Sequence, residues 1–425
     1  VTEAAPRADR LQSLLDVSMA LATQLDLDSL LQVILDQARA VMEAERSTLY
    51  VYDAGQDALV SRVSEGAARD LLIRIPLGTG IAGHVGASRE LVNIPDAYAD
   101  PRFNPEVDRK GGFRTRSILT APLLSHDSRL MGVIQLLNKR TGEPFSAEDE
   151  VLLRAFASHA GVALERARLV EDALEKQRIE EGLRLAHDIQ MGMLPRRFPT
   201  SPVLEIDAAL APAKTVGGDF YDVIEGTGAH AGRIWFAIGD VSGKGIGAAL
   251  FMAVTRTMLR AAAGAGAPDP AAVLAQVNDE LSKDNERAMF VTVFAGLYDP
   301  ATGVLAYANG GHNPPYVLRA SGALEALPNA ASPALAVIEG LTYASAELRL
   351  EPGDALVAYT DGVNEAQNPK GELYGTPRFE SWLRGAAGRP VPELVKNLIA
   401  EIDRFEEGAA PADDITVLAF RRLAG

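Results

Sequence analysis

Cysteine is absent from the 425 residues. That excludes disulfides, zinc ribbons, iron–sulfur clusters and thiol nucleophiles, and it fits a reducing compartment, so the expected location is cytoplasmic. Positive charge is scarce: 41 Lys and Arg stand against 57 Asp and Glu, a net charge of -16. A nucleic-acid partner is not expected, because a phosphate backbone needs a basic face. No apolar run approaches the length of a membrane span, and the first residues do not read as a signal peptide, so no membrane partner is expected. Familiar catalytic motifs are missing too. There is no His-Glu-x-x-His. A P-loop fails at Gly239 to Gly243, where three residues separate the glycines and Lys244 is followed by Gly245. Ser242 lacks the flanking glycines of a nucleophile elbow. Gly243-Lys244-Gly245-Ile246-Gly247-Ala248 matches the loose dinucleotide fingerprint, yet the helix after it runs into Gly264-Ala265-Gly266-Ala267-Pro268 rather than toward a strand ending in an acid.

What the chain does have is carboxylates at the ends of apolar strands. Ile234 to Ile238 runs into Gly239-Asp240, Ala355 to Tyr359 into Thr360-Asp361-Gly362, and Asp413-Asp414 opens Ile415 to Phe420. Gly217-Gly218-Asp219-Phe220-Tyr221-Asp222 adds another acid beside glycines. One Asp-Gly is ordinary turn chemistry. Four such acids in one region suit hard divalent cations such as magnesium or manganese.

The length implies two or three domains. Leu11, Leu14, Leu15 and Leu21 have helical spacing, and a second helix is predicted from Asp28, capped by its carboxylate, with Leu31, Ile34, Leu35, Ala38 and Val41 turned inward. About six strands follow between Ser47 and Asn138, with a glycine-rich turn at Gly78 to Gly83 leading into a short helix. This is an α+β layout of one sheet with packed helices. Asn93-Ile94-Pro95-Asp96-Ala97-Tyr98, Asp100-Pro101-Arg102-Phe103-Asn104 and Arg116-Ser117-Ile118-Leu119, with Asn138-Lys139, Phe145 and Asp149-Glu150, resemble a GAF domain of the cyclic-nucleotide branch over residues 10–165. The resemblance implies a central antiparallel sheet and a small-molecule pocket, with cAMP or cGMP as the leading ligand. Candidate contacts are Arg62, Gly83, His84, Asp96, Tyr98, Phe103 and Thr115.

Residues 166–199 form a linker of helix-forming composition. Ala163, Ala167, Val170 and Leu174 step as a coiled-coil seam, which predicts a parallel homodimer. The seam breaks at Gln177, Glu181 and Gly182, a predicted regulatory hinge. Leu185, Ile189 and Met193 resume a stripe on a shifted phase, and Pro195 ends the helix.

From 200 to 425 strands and helices alternate. Gly217-Gly218-Asp219-Phe220-Tyr221-Asp222, Gly239-Asp240-Val241-Ser242-Gly243-Lys244-Gly245, Gly311-His312-Asn313-Pro314, Thr360-Asp361-Gly362 and Asp413-Asp414-Ile415-Thr416 resemble, in order, the motifs of metal-dependent (type 2C, PPM) protein phosphatases of the stage II sporulation protein E type. The resemblance implies an αββα sandwich, a site for two Mn2+ or Mg2+ ions with room for a third, and hydrolysis of phosphoserine or phosphothreonine in an anti-anti-sigma (STAS-type) protein. It implies that Asp240 bridges the metals and the Val241 carbonyl binds one of them. Asp361 and Asp413 would complete the shells, with Asp219 acting through water or on a third ion; whether Asp413 or Asp414 is the ligand stays open. His312 is a candidate acid or a loop support, and Lys214 and Lys244 are candidate phosphate contacts. The alternative is a signalling scaffold with weak catalysis, against which the complete acid series argues.

Overall fold

The computed structural model describes residues 26–64, 73–265, 267, 269–283, 285–328 and 332–424. The helix expected at Leu11 to Leu21 and the Arg62 side chain lie outside the described residues. Two compact units divide the chain, Val1–Arg178 and Ile179–Gly425.

In the first unit α1 (Leu27–Val41) precedes strands β1 (Ala44–Asp53), β2 (Ala58–Ser64) and β3 (Arg74–Pro76). Helix α2 (Gly80–Ser88), β4 (Val92–Ile94), helix α3 (Pro105–Gly111), β5 (Ile118–Leu124), β6 (Leu130–Lys139) and the start of α4 (Ala147–Met193) follow. The six strands form one sheet in the order β3-β2-β1-β6-β5-β4, every pair antiparallel. Helix α1 starts earlier than its expected cap: Asp26, not Asp28, accepts the Ser29 amide. Asp28 sits in the first turn, where its charge favours the positive end of the helix. The 3.6-residue period buries Leu30, Leu31, Ile34, Leu35 and Ala38 against one face of the sheet, together with Leu153, Phe156, Ala160 and Leu164 of α4. Ala82 and Val85 of α2 cover Tyr50 and Val133 on the other face.

Helix α4 runs 47 residues and passes through Gln177, Glu181 and Gly182 without a break. Within it Ala167 is buried, Ala163 and Val170 are half-buried, and Leu174 is exposed. Leu185 and Ile189 of the resumed stripe are exposed. The face turned inward carries His187 and Gln190, because polar contacts to a neighbouring loop set the phase of these last turns.

The second unit holds two five-stranded sheets. One contains β8 (Phe220–Glu225), β9 (Ile234–Val241), β10 (Val291–Asp299), β11 (Val304–Gly310) and β14 (Ser345–Arg349). The other contains β7 (Leu204–Ala211), β12 (Tyr316–Leu318), β13 (Leu324–Ala326), β15 (Ala355–Tyr359) and β16 (Ile415–Arg422). Alternation along β16 explains the layers. Leu418 and Phe420 point into the core shared with the first sheet, where Phe420 meets Phe236 at 5.1 Å. Val417 and Ala419 point to the opposite side, under α9 (Val391–Glu406), which follows the short α7 (Gly362–Glu365) and α8 (Gly375–Gly385). Helices α5 (Ile246–Gly264) and α6 (Pro270–Ser282) cover the first sheet. The result is the expected αββα sandwich. Among the described residues α5 is long and apolar enough to cross a membrane, contrary to the sequence reading, but Ala248, Met252 and Leu259 on its inner face are core residues.

Candidate metal centre

The strand ends bring the acids together. Strand β9 delivers Asp240 and Val241, paired with Thr292 and Val291 of β10. Strand β8 starts just after Asp219, β15 stops just before Thr360-Asp361, and β16 starts just after Asp413-Asp414. Asp219 is buried, and its Oδ2 accepts the hydroxyls of Thr360 at 2.7 Å and Thr416 at 2.6 Å. Asp414 is also buried, and both its oxygens are engaged: Oδ1 accepts the Ala213 amide at 2.8 Å and Oδ2 the Gly218 amide at 2.9 Å. Asp413 is more open. Its Oδ1 accepts the Asp414 amide, and its Oδ2 pairs with Lys244 Nζ at 2.8 Å. Lys244 also donates to the Ala412 carbonyl, so it is not a free phosphate contact. Lys214 is exposed on the loop before Asp219.

The electrostatics are those of a cation site. Burial, then the charges of Asp361 and Asp413, push Asp240 up to about 7. Burial, then Asp240, push Asp219 well above the carboxylate range, and burial followed by Glu365 and Asp413 raise Asp361. Lys244 is the one cation in contact with the group among the described residues. Carboxylate oxygens and a main-chain carbonyl are the donor set of a hard divalent ion, so the residues present fit the metals expected here. No three of these residues each bring a ligand oxygen within 4.8 Å of the other two. Among the described residues that condition is met only by His126, Asp127 and Glu165 in the first unit. Arg129 already bonds both of those carboxylates, which gives that cluster its counter-charge.

Two features were not legible as site residues. Gln190, near the end of α4, is buried and its amide clamps Gly217 both ways, donating to its carbonyl at 2.8 Å and accepting its amide at 3.2 Å. His187 Nδ1 lies 2.7 Å from the Thr215 carbonyl. The loop that carries Asp219 therefore hangs on the last turns of α4. A glutamine in a polar helix gives no signal of this at sequence level. Replacing Gln190 with Ala leaves two buried main-chain groups of Gly217 unpaired, a cost of about 1–3 kcal/mol. The expected outcome is a several-fold weaker affinity for divalent metal with the fold retained, read by metal titration beside circular dichroism. An unchanged affinity would remove Gln190 from the site. The second feature is Asp222. It lies in the first acidic motif yet pairs with Arg256 at 3.1 Å and Arg260 at 2.8 Å, fastening α5 to β8.

His312 is buried, and burial lowers it to about 4. Its Nδ1 meets the Thr292 hydroxyl at 2.9 Å, and Asn309 ties its main chain on both sides. A neutral, enclosed imidazole supports the loop, and at neutral pH it is not the imidazolium that a general acid would need.

In the first unit a cavity of about 610 Å³ lies between the sheet and the 101–115 segment. Of the candidate contacts, Phe103 and Thr115 line it, while Gly83, His84, Asp96 and Tyr98 do not. Asp96 caps the turn at Tyr98, and Tyr98 donates to Asp108. Gly83 is packed so tightly that a side chain would begin 2.5 Å from the Pro76 carbonyl. These residues build the cover and the packing beside the cavity rather than its wall. The Asn-Lys, Phe, Asp-Glu set is a brace: Lys139 pairs with Asp149 at 2.6 Å, Asn138 holds the Arg116 amide and the Arg114 carbonyl, and Asn93 binds the Phe145 carbonyl and Glu150.

Residues 230–423 match the family described as stage II sporulation protein E (SpoIIE), and residues 26–164 match the GAF domain family. Asp219 lies just before the first of these ranges. Protein IcfG of Synechocystis sp. is 31% identical over 287 residues, which is 60% of this chain and 43% of that protein. The dual 3′,5′-cyclic-AMP and -GMP phosphodiesterase 11 of Drosophila melanogaster is 33% identical over 197 residues, 43% of this chain and 14% of that protein. The chain thus spans less than half the length of either curated relative. Among solved structures, the SiaA-PP2C domain of Pseudomonas aeruginosa is 27% identical with a TM-score of 0.52, covering 59% of this chain and 99% of that one.

Proposed function

From a chain built of an N-terminal GAF domain followed by a SpoIIE-type PP2C phosphatase domain, we propose a metal-dependent protein serine/threonine phosphatase whose output is set by its GAF domain. The observation that carries this reading is the meeting of Asp219, Asp240, Asp361 and Asp413 at strand ends, with Asp240 raised to about 7 by burial and by its neighbours' charge. The ions would be Mn2+ or Mg2+, held by Asp240, Asp361, Asp413 and the Val241 carbonyl. When bound, they would polarise a water toward hydroxide and neutralise charge developing on the phosphoryl oxygens.

The chain's own residues do the positioning. Thr360 and Thr416 both occupy Oδ2 of Asp219, which suits contact through water or a weaker third ion. Asp414 serves the loop, since its oxygens are taken by Ala213 and Gly218, and this favours Asp413 as the ligand of the pair. The substrate class is a phosphoserine or phosphothreonine of a STAS-type anti-anti-sigma protein. A dimeric α4 with a hinge at Gln177 to Gly182 would carry the signal, and a cyclic nucleotide or another small molecule would occupy the 610 Å³ cavity.

The test is phosphate release by the purified chain from an aryl phosphate and from a serine-phosphorylated STAS-domain protein, with Mn2+ added or chelated. Release from both that depends on Mn2+ is expected. Absence of metal-dependent release from both substrates would sink the proposal, and release from the aryl phosphate alone would remove the STAS-type protein as substrate.

A further inference from the structure

Helix α5 leaves the acidic cluster with an unpartnered apolar stripe. Ile246, Leu250 and Val254 fall four residues apart, on one side of the helix, and stand 55%, 64% and 46% exposed. Their opposite side, with Ala248, Met252 and Leu259, is core. Three exposed apolar side chains in a row beside a charged site make a contiguous apolar patch. A fourth member comes from another segment. Phe290 is 42% exposed and is locked to the catalytic strand's continuation: its amide donates to the Ser242 hydroxyl at 3.0 Å and its carbonyl accepts the Ser242 amide at 2.9 Å. Ser242 is two residues beyond Asp240, so Phe290 sits at the lip of the acidic cluster, with the α5 stripe leading away from it.

Charge marks the end of this band that lies nearest the acids. Arg287 is exposed, and its Nη1 lies 3.9 Å from where a side chain on Gly247 would begin, in the first turn of α5. Among the described residues no carboxylate pairs with it. The helix start adds to the positive field, since Gly245 offers no side-chain cap to the free amides of that turn. One end of the band therefore offers unneutralised positive charge, and the rest offers exposed apolar area. That is the complement of a folded protein that carries a phosphoryl group at the edge of an apolar patch. A second copy of this chain, with its net charge of -16, brings no such group.

We propose that Phe290 and the Ile246, Leu250 and Val254 face of α5 form the docking surface for the folded phosphoprotein substrate, with Arg287 at its phosphate end. The proposal rests on the phosphatase reading above and deepens it. It separates two kinds of substrate: a small aryl phosphate needs only the acidic cluster and its metals, whereas a folded phosphoprotein needs the band as well.

The experiment compares the full chain with Leu250→Asp and Val254→Asp on two probes, an aryl phosphate and a serine-phosphorylated STAS-domain protein, in Mn2+. Sedimentation of each variant accompanies the kinetics. Each variant should lose at least about tenfold in kcat/KM on the phosphoprotein, mostly through KM, and stay within about twofold on the aryl phosphate, with unchanged sedimentation; tenfold corresponds to about 1.4 kcal/mol, the scale of one apolar side chain at an interface. Equal losses on both probes would make the face structural. Unchanged turnover of the phosphoprotein would remove it as a docking surface. A shift in sedimentation accompanying the loss would assign the face to a second copy of this chain. Wild-type enzyme that cleaves the aryl phosphate and no phosphorylated STAS protein would overturn the pairing of surface and occupant, whereas failure on both probes would strike the phosphatase reading itself.

Discussion

Asp240→Asn should lower metal-dependent phosphate release on the order of 10³-fold, about 4 kcal/mol of transition-state stabilisation, and at the same time make the metal-free protein more stable. The first effect follows from removing a charged donor at the centre of the acidic group. Asparagine keeps the shape but offers a neutral oxygen, so the ions lose both affinity and the field that holds them. The second effect follows from what Asp240 costs without metal. Its side chain is held near 7 by burial and by Asp361 and Asp413, against about 3.9 in an unfolded chain. Between those values the folded state holds a proton that the unfolded state has released. Stability of the metal-free protein therefore falls as pH rises from about 4 to about 7, by roughly 4 kcal/mol if Asp240 acted alone. Below the window the penalty is absent, and above it the full penalty persists.

Asp219 is raised in the same sense and faces Asp240, so the two titrate as a pair and the variant relieves only part of the cost. In chelator at pH 8 the variant should melt several degrees above wild type, and near pH 4 the two should coincide. The check is a pair of melting curves in chelator with a pair of rate measurements in Mn2+. A variant that is both slow and less stable at pH 8 would mean Asp240 serves packing rather than a cation. This combination is expected where a site keeps like charges together for function.

The parts of this fold that could be read from sequence are those where one residue type has one job. Apolar runs bounded by Asp mark β9, β15 and β16, with the acid after the first two and before the third, and these strand ends lie beside one another. Strand β8 was hidden because Gly217-Gly218-Asp219 reads as a loop, and the strand begins only at Phe220. Helix α8 was hidden because it opens at Gly375 and carries Pro377 in its first turn. In the first domain the polar residues beside the cavity carry an ambiguity that sequence cannot resolve. Asp96 and Tyr98 have the chemistry of ligand contacts, but a polar side chain near a cavity can equally hold the cover, and here they spend their hydrogen bonds on a turn and on Asp108. Asp414 shows the same ambiguity at the metal centre. Neighbouring aspartates look equivalent in sequence, and only the amides of Ala213 and Gly218 separate their roles.

Gly217→Ala tests how tightly that loop is built, and its expected effect is comparable to losing a ligand. A Cβ at residue 217 would begin 1.8 Å from Asp414 Oδ2 and 2.5 Å from its Cγ. Gly217 is not in the left-handed region, so backbone conformation permits alanine and only space forbids it. To make room, Asp414 must swing away from the Gly218 and Ala213 amides, or the loop must lift from Gln190. Either movement strips partners from buried main-chain groups at about 1–3 kcal/mol each, and either displaces Asp219, two residues on. The variant should therefore be destabilised by roughly 2–5 kcal/mol and lose at least about 100-fold in metal-dependent turnover. Gly192→Ala is the matched control, because it lies in α4 with nothing within 4 Å of its added carbon. That change should raise stability by up to about 1 kcal/mol through helix propensity and leave turnover alone. Thermal melts and Mn2+ titrations of the two variants together decide the matter: if Gly217→Ala behaves like Gly192→Ala, the loop has slack, and neither Asp414 nor Gln190 fixes the position of Asp219.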